Sequence, residues 1–436
     1  MNALTDPTLP ADHGTAPVST TTGDTVVITS WKAPIALAVF TILGLVLFVL
    51  LRRPDNESTF LLSTPTDFFA LPNLVLPTLA TGLVAVVLLA ALTAFSVLRV
   101  VRKQKTPLWV IAVFAAVFLV GFLAWASAGQ SILIPGLFVG TVTLSVPLVF
   151  GALSGVLSER VGVVNIAIEG QLLAGAFSSA LVASVTGNPF LGLAAAAVAG
   201  MLVSFVLAAF AIKYLVDQVI VGVVLNVLVT GLTSFLFTQV LSSNTPLLNN
   251  PPRFDRLAIP LLSQIPIIGP TLFNQTVIVY AMYIAVALVF FGLFKTKWGL
   301  RLRAVGEHPT AADTVGIKVN PTRFWNVSLA GAIAGFGGAF FTLGLVGAFN
   351  KEMTAGAGFI ALAAVIFGGW DPLRATLAAL LFGFASNLQN VLGIIGSPVP
   401  SEFMLMLPYV VTIFAVAGVV GRVRGPAAAG KPYLKS

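Results

Sequence analysis

From about residue 33 onward the chain alternates long apolar runs with short polar breaks. A helix needs about 20 mostly apolar residues to cross a bilayer. Runs of this kind lie near Ala33–Leu51, Val75–Arg99, Leu108–Ala128, Ile132–Leu157, Val161–Val185, Phe190–Ile212, Val219–Leu241, Thr276–Phe294, Trp325–Ala348 and Phe403–Val420. Between Gly356 and Leu392 the apolar sequence is broken by Trp370-Asp371-Pro372. The pattern predicts an all-α fold: a polytopic transmembrane helix bundle of about 10–12 spans. It also predicts a broken or re-entrant element near 356–372. The arm before the break, about 13–15 residues, is too short for a full crossing and must be buried in protein.

One polar passage stands out between the apolar runs, Trp298 to Val319 (WGLRLRAVGEHPTAADTVGIKV). Lys295, Lys297, Arg301, Arg303, Lys318 and Arg323 crowd in and around it, against Glu307 and Asp313. Pro309 suits the first position of a helix and Gly316 its end. A short helix over Thr310–Val315, lying on the membrane surface, is predicted. Two readings stay open from the spacing alone: a contact for a soluble partner, or an ordinary solvated loop.

Charge sets the expected orientation. Arg99, Arg102, Lys103 and Lys105 place the second connection in the cytoplasm. Ser158-Glu159-Arg160, Lys213 to Asp217, the 295–323 loop and the N-terminal tail then share that side. Arg52 and Arg53 fall outside, against the rule. If the broken region crosses twice, turning at Trp370–Arg374, the C-terminal Arg422, Arg424, Lys431 and Lys435 also face the cytoplasm, which gives about twelve crossings. The longer outside connections are Ser242–Gln275, rich in Pro and Asn, and Asn350–Gly358. Residues 1–30 are rich in Thr, Ser, Pro and Asp and read as a disordered polar tail, not a secretory signal.

Composition agrees with the pattern. Of 436 residues, 58% are hydrophobic and 9% charged, with a mean hydropathy of +1.01. A soluble domain carries roughly 25% charged residues, so the bilayer must be the main solvent. The net charge of +8 reads as cytoplasmic anchoring, with no nucleic-acid partner expected. There is no cysteine, and the only histidines are His13 and His308. Thiol chemistry is excluded, and no metal or acid–base centre built on His is expected.

Ser158 to Gly170 (SERVGVVNIAIEG) is the second marked stretch. Glu159 and Arg160 fall in a tight turn. Asn165 and Glu169 are four apart, so they share a face of a helix that has already begun. Glu169 then lies about 12 Å beyond Val161. An ionisable group at that depth costs about 2–3 kcal/mol in lipid, so it should face the interior or water. It either lines a solute path or reaches back to Asn165 or Arg160. Asn226, Gln239, Asn326, Asn387, Gln389 and Asn390 are further amides that bind a solute or join helices. Gly331-x-x-x-Gly335, Gly337-Gly338, Gly151 and Gly155 predict close helix packing. Gly425 to Lys431 has phosphate-loop spacing, but Pro432 stands where Ser or Thr is needed and no strand precedes it. A flexible basic tail is the expectation. The lack of an internal run of carboxylates or histidines weighs against a stand-alone secondary carrier or channel, and no clustered centre suggests a membrane enzyme.

Ser158–Gly170 resembles the signature of permease subunits of bacterial ATP-binding cassette (ABC) importers for nucleosides and simple sugars. Gly299–Gly316 (GLRLRAVGEHPTAADTVG) resembles that family's cytoplasmic coupling segment. Met353–Pro372, Leu407-Pro408-Tyr409 and the terminal GKPY also match, so the resemblance spans about Ile132 to Tyr433. It is closest to the smaller of two paired nucleoside permeases. It implies a permease core over 129–421, preceded by an additional three-span segment, 31–128, and followed by a basic tail, 422–436. It implies a non-enzymatic subunit of a bacterial plasma-membrane importer with both termini cytoplasmic. The implied partners are a second homologous permease, a cytoplasmic ATP-binding subunit that holds ATP and Mg, and an extracytoplasmic substrate-binding lipoprotein; no cofactor is implied in this chain. Simple sugars and branched-chain amino acids are the alternative solutes. Arg303, Glu307, Pro309, Ala312, Asp313 and Gly316 are the expected ATPase-coupling residues, braced by Glu159 and Arg160. Asn165, Glu169 and Asn226 are the expected path residues.

Overall fold

The computed structural model describes residues 31–51, 57–397, 399–400, 402–403, 406 and 424–434. The expectations for the tail at 1–30, for Arg52 and Arg53, for the run Phe403–Val420, for Leu407-Pro408-Tyr409 and for Arg422 and Lys435 lie wholly or largely outside the described residues. Among the described residues, ten helices are long and apolar enough to cross a membrane. The molecule is a polytopic helical bundle.

The first three spans form a layer of their own. They are α1 (Lys32–Leu45, continued by a π turn at Val46–Leu50), α2 (Thr78–Val101) and α3 (Leu108–Ala126). Much of their apolar surface is exposed, as suits lipid. Phe48 is their centre, seated against Gly82 and Gly121. Before α2 come strands β1 (Glu57–Leu61) and β2 (Leu74–Pro77). They join β3 (Ser131–Leu133) in a sheet ordered β2-β1-β3, antiparallel then parallel. This sheet fixes the layer to the rest of the bundle, and Ser58 Oγ donates to the Ala124 carbonyl at 2.6 Å.

The remaining spans are α4 (Ile134–Arg160), α5 (Ile168–Thr186), α6 (Pro189–Ala208, continued to Lys213) and α7 (Gln218–Leu236, continued to Leu241). Short pieces follow: α8 (Thr245–Leu248), β4 (Arg256–Ala258), α9 (Ile268–Leu272) and β5 (Asn274–Thr276), with β4 and β5 antiparallel. Then come α10 (Val277–Lys295), α11 (Lys297–Glu307), α12 (Pro309–Thr314), α13 (Val319–Ala339, continued to Val346), α14 (Ala357–Phe367) and α15 (Pro372–Ile394). The expected small-residue contacts are present: Gly331 and Gly335 of α13 meet Gly200 of α6 backbone to backbone.

Two differences from the expected spans matter for the site. The run Val161–Val185 is not one helix. Gly162 has φ +96°, residues 161–167 form a loop, and α5 starts only at Ile168. Asn165 and Glu169 therefore do not share a helix face. The broken element is real: α14 has 11 residues and Trp370, at φ +55°, turns the chain into α15. Asp371 caps α15, accepting from the N–H groups of Leu373 and Arg374 at 3.0 Å.

Gly151 faces Ala361 and Gly155 faces Val365, so α14 runs parallel to the second half of α4. Arg160 Nε donates to the Trp370 carbonyl at 2.9 Å, in the same register. In that register Ala357, the start of α14, is level with Pro147, the midpoint of α4. Each half of α4 is about 20 Å long. The non-helical chain at 347–356 thus descends to mid-bundle, where α14 begins.

Candidate functional site

Glu169 occupies this mid-bundle level, in the first turn of α5. Its carboxylate reaches across to the start of α14, accepting from Thr354 Oγ1 at 2.6 Å, Gly356 N at 2.9 Å and Gly358 N at 2.6 Å. Gly356, at the N-cap of α14, has no side chain to cap the helix. Glu169 supplies the cap from another helix and places its charge at the positive end of α14. The reach back to Asn165 or Arg160 does not occur.

Asn165, fully buried in the 161–167 loop, exchanges two hydrogen bonds with Gln171 at 3.1 and 3.0 Å. Gln171 also donates to Ser204 Oγ of α6 at 2.9 Å. Asn226 of α7 donates to the Ile166 carbonyl and accepts from Gly170 N, each at 2.8 Å. Asn165, Glu169 and Asn226 are thus brought together around the N-terminus of α5, and in this conformation all three bond to protein groups. Beside the Glu169 cap is a cavity of about 220 Å³, whose lining includes Pro147, Phe340, Phe341, Met353, Thr354 and Ser386. Thr354 belongs both to this cavity and to the Glu169 cap.

At the end of the bundle where α4 finishes, α11 and α12 form the predicted surface segment. Thr296 caps α11 by accepting from Gly299 N at 3.1 Å. Pro309 opens α12, and Gly316, at φ +85°, follows its end. Ala312 is 3% exposed and packs into the core, so it supports the helix from within and is not on its outer face. Thr310, Ala311, Thr314, Val315 and Gly316 face outward, with Val315 76% exposed. The guanidinium of Arg303 lies 5.1 Å from the centre of the Phe294 ring, and that of Arg160 lies 6.0 Å from it. A Cβ on Gly306 would lie 2.0 Å from the Arg160 carbonyl oxygen, so only glycine allows α11 to rest on the end of α4. Glu159 accepts from the Trp370 indole N–H, tying the end of α4 to the α14–α15 turn.

The C-terminal residues 424–434 are not a flexible tail but a docked strap. Ala427 N donates to the Glu307 carboxylate at 3.2 Å and Ala428 N to the Gly306 carbonyl at 2.9 Å. Arg323 of α13, 2% exposed, donates from Nη1 to the Lys431 carbonyl at 3.0 Å. Tyr433 is buried, and its hydroxyl lies beside Asp313 of α12. Burial, then the neighbouring Asp313 carboxylate, push the Tyr433 hydroxyl above its ordinary pKa.

Residues 137–416 match the family described as branched-chain amino acid transport system / permease component. The chain belongs to this permease family. The permease is 42% identical to the guanosine ABC transporter permease NupQ of Bacillus subtilis, over 70% of this chain and 97% of NupQ. It is 40% identical to the nucleoside ABC transporter permease NupC of Lactococcus lactis, over 67% of this chain and 94% of NupC. It is 35% identical to the putative glucose ABC transporter permease TsgC13 of Haloferax volcanii, over 58% of this chain and 77% of TsgC13. No solved structure matches the permease.

Sequence reasoning missed Gln171, Thr354 and the strap. Gln171 directly follows the Ser158–Gly170 motif, and its position two residues beyond Glu169 was the available signal. Thr354 lies within the matching stretch Met353–Pro372, but nothing there points to Glu169, remote in sequence, as its partner.

Proposed function

We propose that this permease forms the translocation path of an ATP-driven importer for nucleosides. The observation that carries the reading is the mid-bundle cavity with Phe340 and Phe341 in its lining, in a chain similar over most of its length to guanosine and nucleoside permeases. Phenyl rings suit the π-face of a nucleobase, and stacking is worth about 1–3 kcal/mol per base. Asn165, Glu169 and Asn226 act at the edge of this path by holding the starts of α5 and α14 where the chain is non-helical.

Bacillus subtilis and Lactococcus lactis each contribute two relatives, NupQ with NupP and NupC with NupB, which supports a second, homologous permease as partner. The excess of Lys and Arg around α11, α12 and the strap favours a cytoplasmic location for that face. There the outward side of α12, with Val315 at its tip, docks on a cytoplasmic ATP-binding subunit, which holds ATP and Mg. An extracytoplasmic substrate-binding lipoprotein delivers the solute to the opposite face. Closure of the ATPase pulls on α12, and α11 passes the displacement to α4 through the Gly306–Arg160 contact.

The test is ATP-dependent uptake by the reconstituted complex, with labelled guanosine competed by other nucleosides, glucose and leucine. Competition by nucleosides alone is expected; competition by glucose or leucine and not by nucleosides overturns the substrate reading. Phe341→Ala is expected to raise the apparent KM for guanosine about ten-fold, the equivalent of about 1.4 kcal/mol, with basal ATP hydrolysis unchanged. Val315→Asp puts a charge where an apolar tip must be desolvated. It is expected to lower ATPase retention on the purified permease at least ten-fold, and retention at the parent level overturns the docking assignment.

A further inference from the structure

The strap touches several of the elements that meet on the basic face. Besides Gly306 and Glu307 of α11, Asp313 of α12 and Arg323 of α13, it reaches the 161–167 loop and the α14–α15 turn. Gly430 lies against Val164, and Gly425 against the Trp370 ring. α12 has six residues, too few for a helix to hold its own shape. Its covalent neighbours are α11 and the Gly316 turn. A force applied to its outer face would therefore turn it about these ends unless something else held it. Ala312 anchors it inward, and Tyr433 holds it from the side, beside Asp313.

Arg323 makes the strap more than a passive covering. Its guanidinium is buried, it donates one hydrogen bond to the strap, and Nε and Nη2 have no hydrogen-bond partner. A buried cation of this kind costs stability unless its acceptors are held in place. The Lys431 carbonyl is such an acceptor, and it lies on the strap. The arrangement joins α13, which carries the small-residue seam, to the segment that includes α12.

We propose that residues 425–434 are a coupling brace: they lock α12 to α13 and to the α14–α15 turn, so that displacement of the docking helix moves the bundle and is not absorbed by rotation of α12. Tyr433 and Arg323 are its positioning residues. The proposal rests on the reading of α12 as the ATPase-docking helix, and the experiment separates the two.

In the reconstituted complex with its ATPase, the quantity to measure is uptake per ATP hydrolysed. Deleting residues 425–436 is expected to leave the ATPase bound through Val315 and hydrolysing ATP, while uptake per ATP falls at least ten-fold. Uptake per ATP within two-fold of the parent overturns the brace. If the deletion prevents assembly, Tyr433→Ala and Tyr433→Phe decide: the brace predicts a several-fold drop in uptake per ATP for both, with ATPase binding intact, and parental ratios for both overturn it. The natural absence of cysteine allows a second test. Val164→Cys with Gly430→Cys, joined by a short bis-thiol reagent, tethers the strap in place. A brace works tethered, so uptake should match the untethered double variant; loss of uptake on tethering means the strap must detach, and the proposal fails. ATPase binding that survives Val315→Asp instead removes the docking reading itself, whatever the strap variants do.

Discussion

Glu169→Ala is expected to abolish uptake and to lower the stability of the purified permease by about 3 kcal/mol or more. The carboxylate accepts three hydrogen bonds at 2.6–2.9 Å, two of them from backbone N–H groups at the start of α14. Alanine leaves these donors buried and unpaired, at about 1–3 kcal/mol each. It also removes a negative charge from the helix end, worth up to about 2 kcal/mol when partly buried. The local consequence matters as much as the total. Without its cap the 347–356 chain loses its anchor at Thr354 and Gly356, so the cavity loses one of its walls. Glu169→Gln keeps one carboxamide oxygen as acceptor and loses the charge, so it should fall between parent and alanine. The measurements are the midpoint of thermal unfolding in detergent and guanosine uptake after reconstitution. An alanine variant equal to the parent in both would remove the cap from the account.

Where local physics decides the structure, the sequence was readable. Span positions follow from apolar runs, the α14–α15 turn from Trp370-Asp371-Pro372, and the limits of α12 from Pro309 and Gly316. The misread places are those where distant groups decide. Val161 to Val164 looks helical by composition, yet the loop at 161–167 is held open by Gln218, which accepts from Val164 N at 2.7 Å, and by Asn226. Those partners lie on α7, more than fifty residues further along. By sequence alone the strap reads as a flexible tail, because Gly, Ala, Pro and Lys show no hydrophobic period. Its order comes from the Gly306 carbonyl, the Glu307 carboxylate and the Arg323 guanidinium, each far away in sequence. The N-terminal layer was visible as spans, but its attachment was not, because β1 and β3 pair across about 70 residues.

Gly335→Leu should prevent the permease from folding. Gly335 lies where α5, α6 and α13 touch by their backbones. A Cβ there would stand 2.2 Å from the Ala196 carbonyl oxygen and 2.8 Å from Gly200 Cα. On α5, a Cβ at Gly175 would in turn lie 2.1 Å from the Gly335 carbonyl oxygen. Inserting atoms into a well-packed core costs about 1–3 kcal/mol when side chains can move aside. Here the obstructing atoms are main chain, so the helices themselves would have to separate. Separation would break the Gly331–Gly200 contact and disturb Ser204, which receives the Gln171 hydrogen bond. Packing, not a hydrophobic force, holds helices together in lipid, so a lost fit is not recovered by burial elsewhere. The expected result is loss of the monodisperse peak in size-exclusion chromatography. Gly231→Leu is the matched control: it is also a helical glycine within a span, and a Cβ there meets nothing within 4 Å. It should purify like the parent. If both variants purify alike, the close approach at Gly335 does not hold the bundle together; if both fail, helix backbone effects and not packing are responsible.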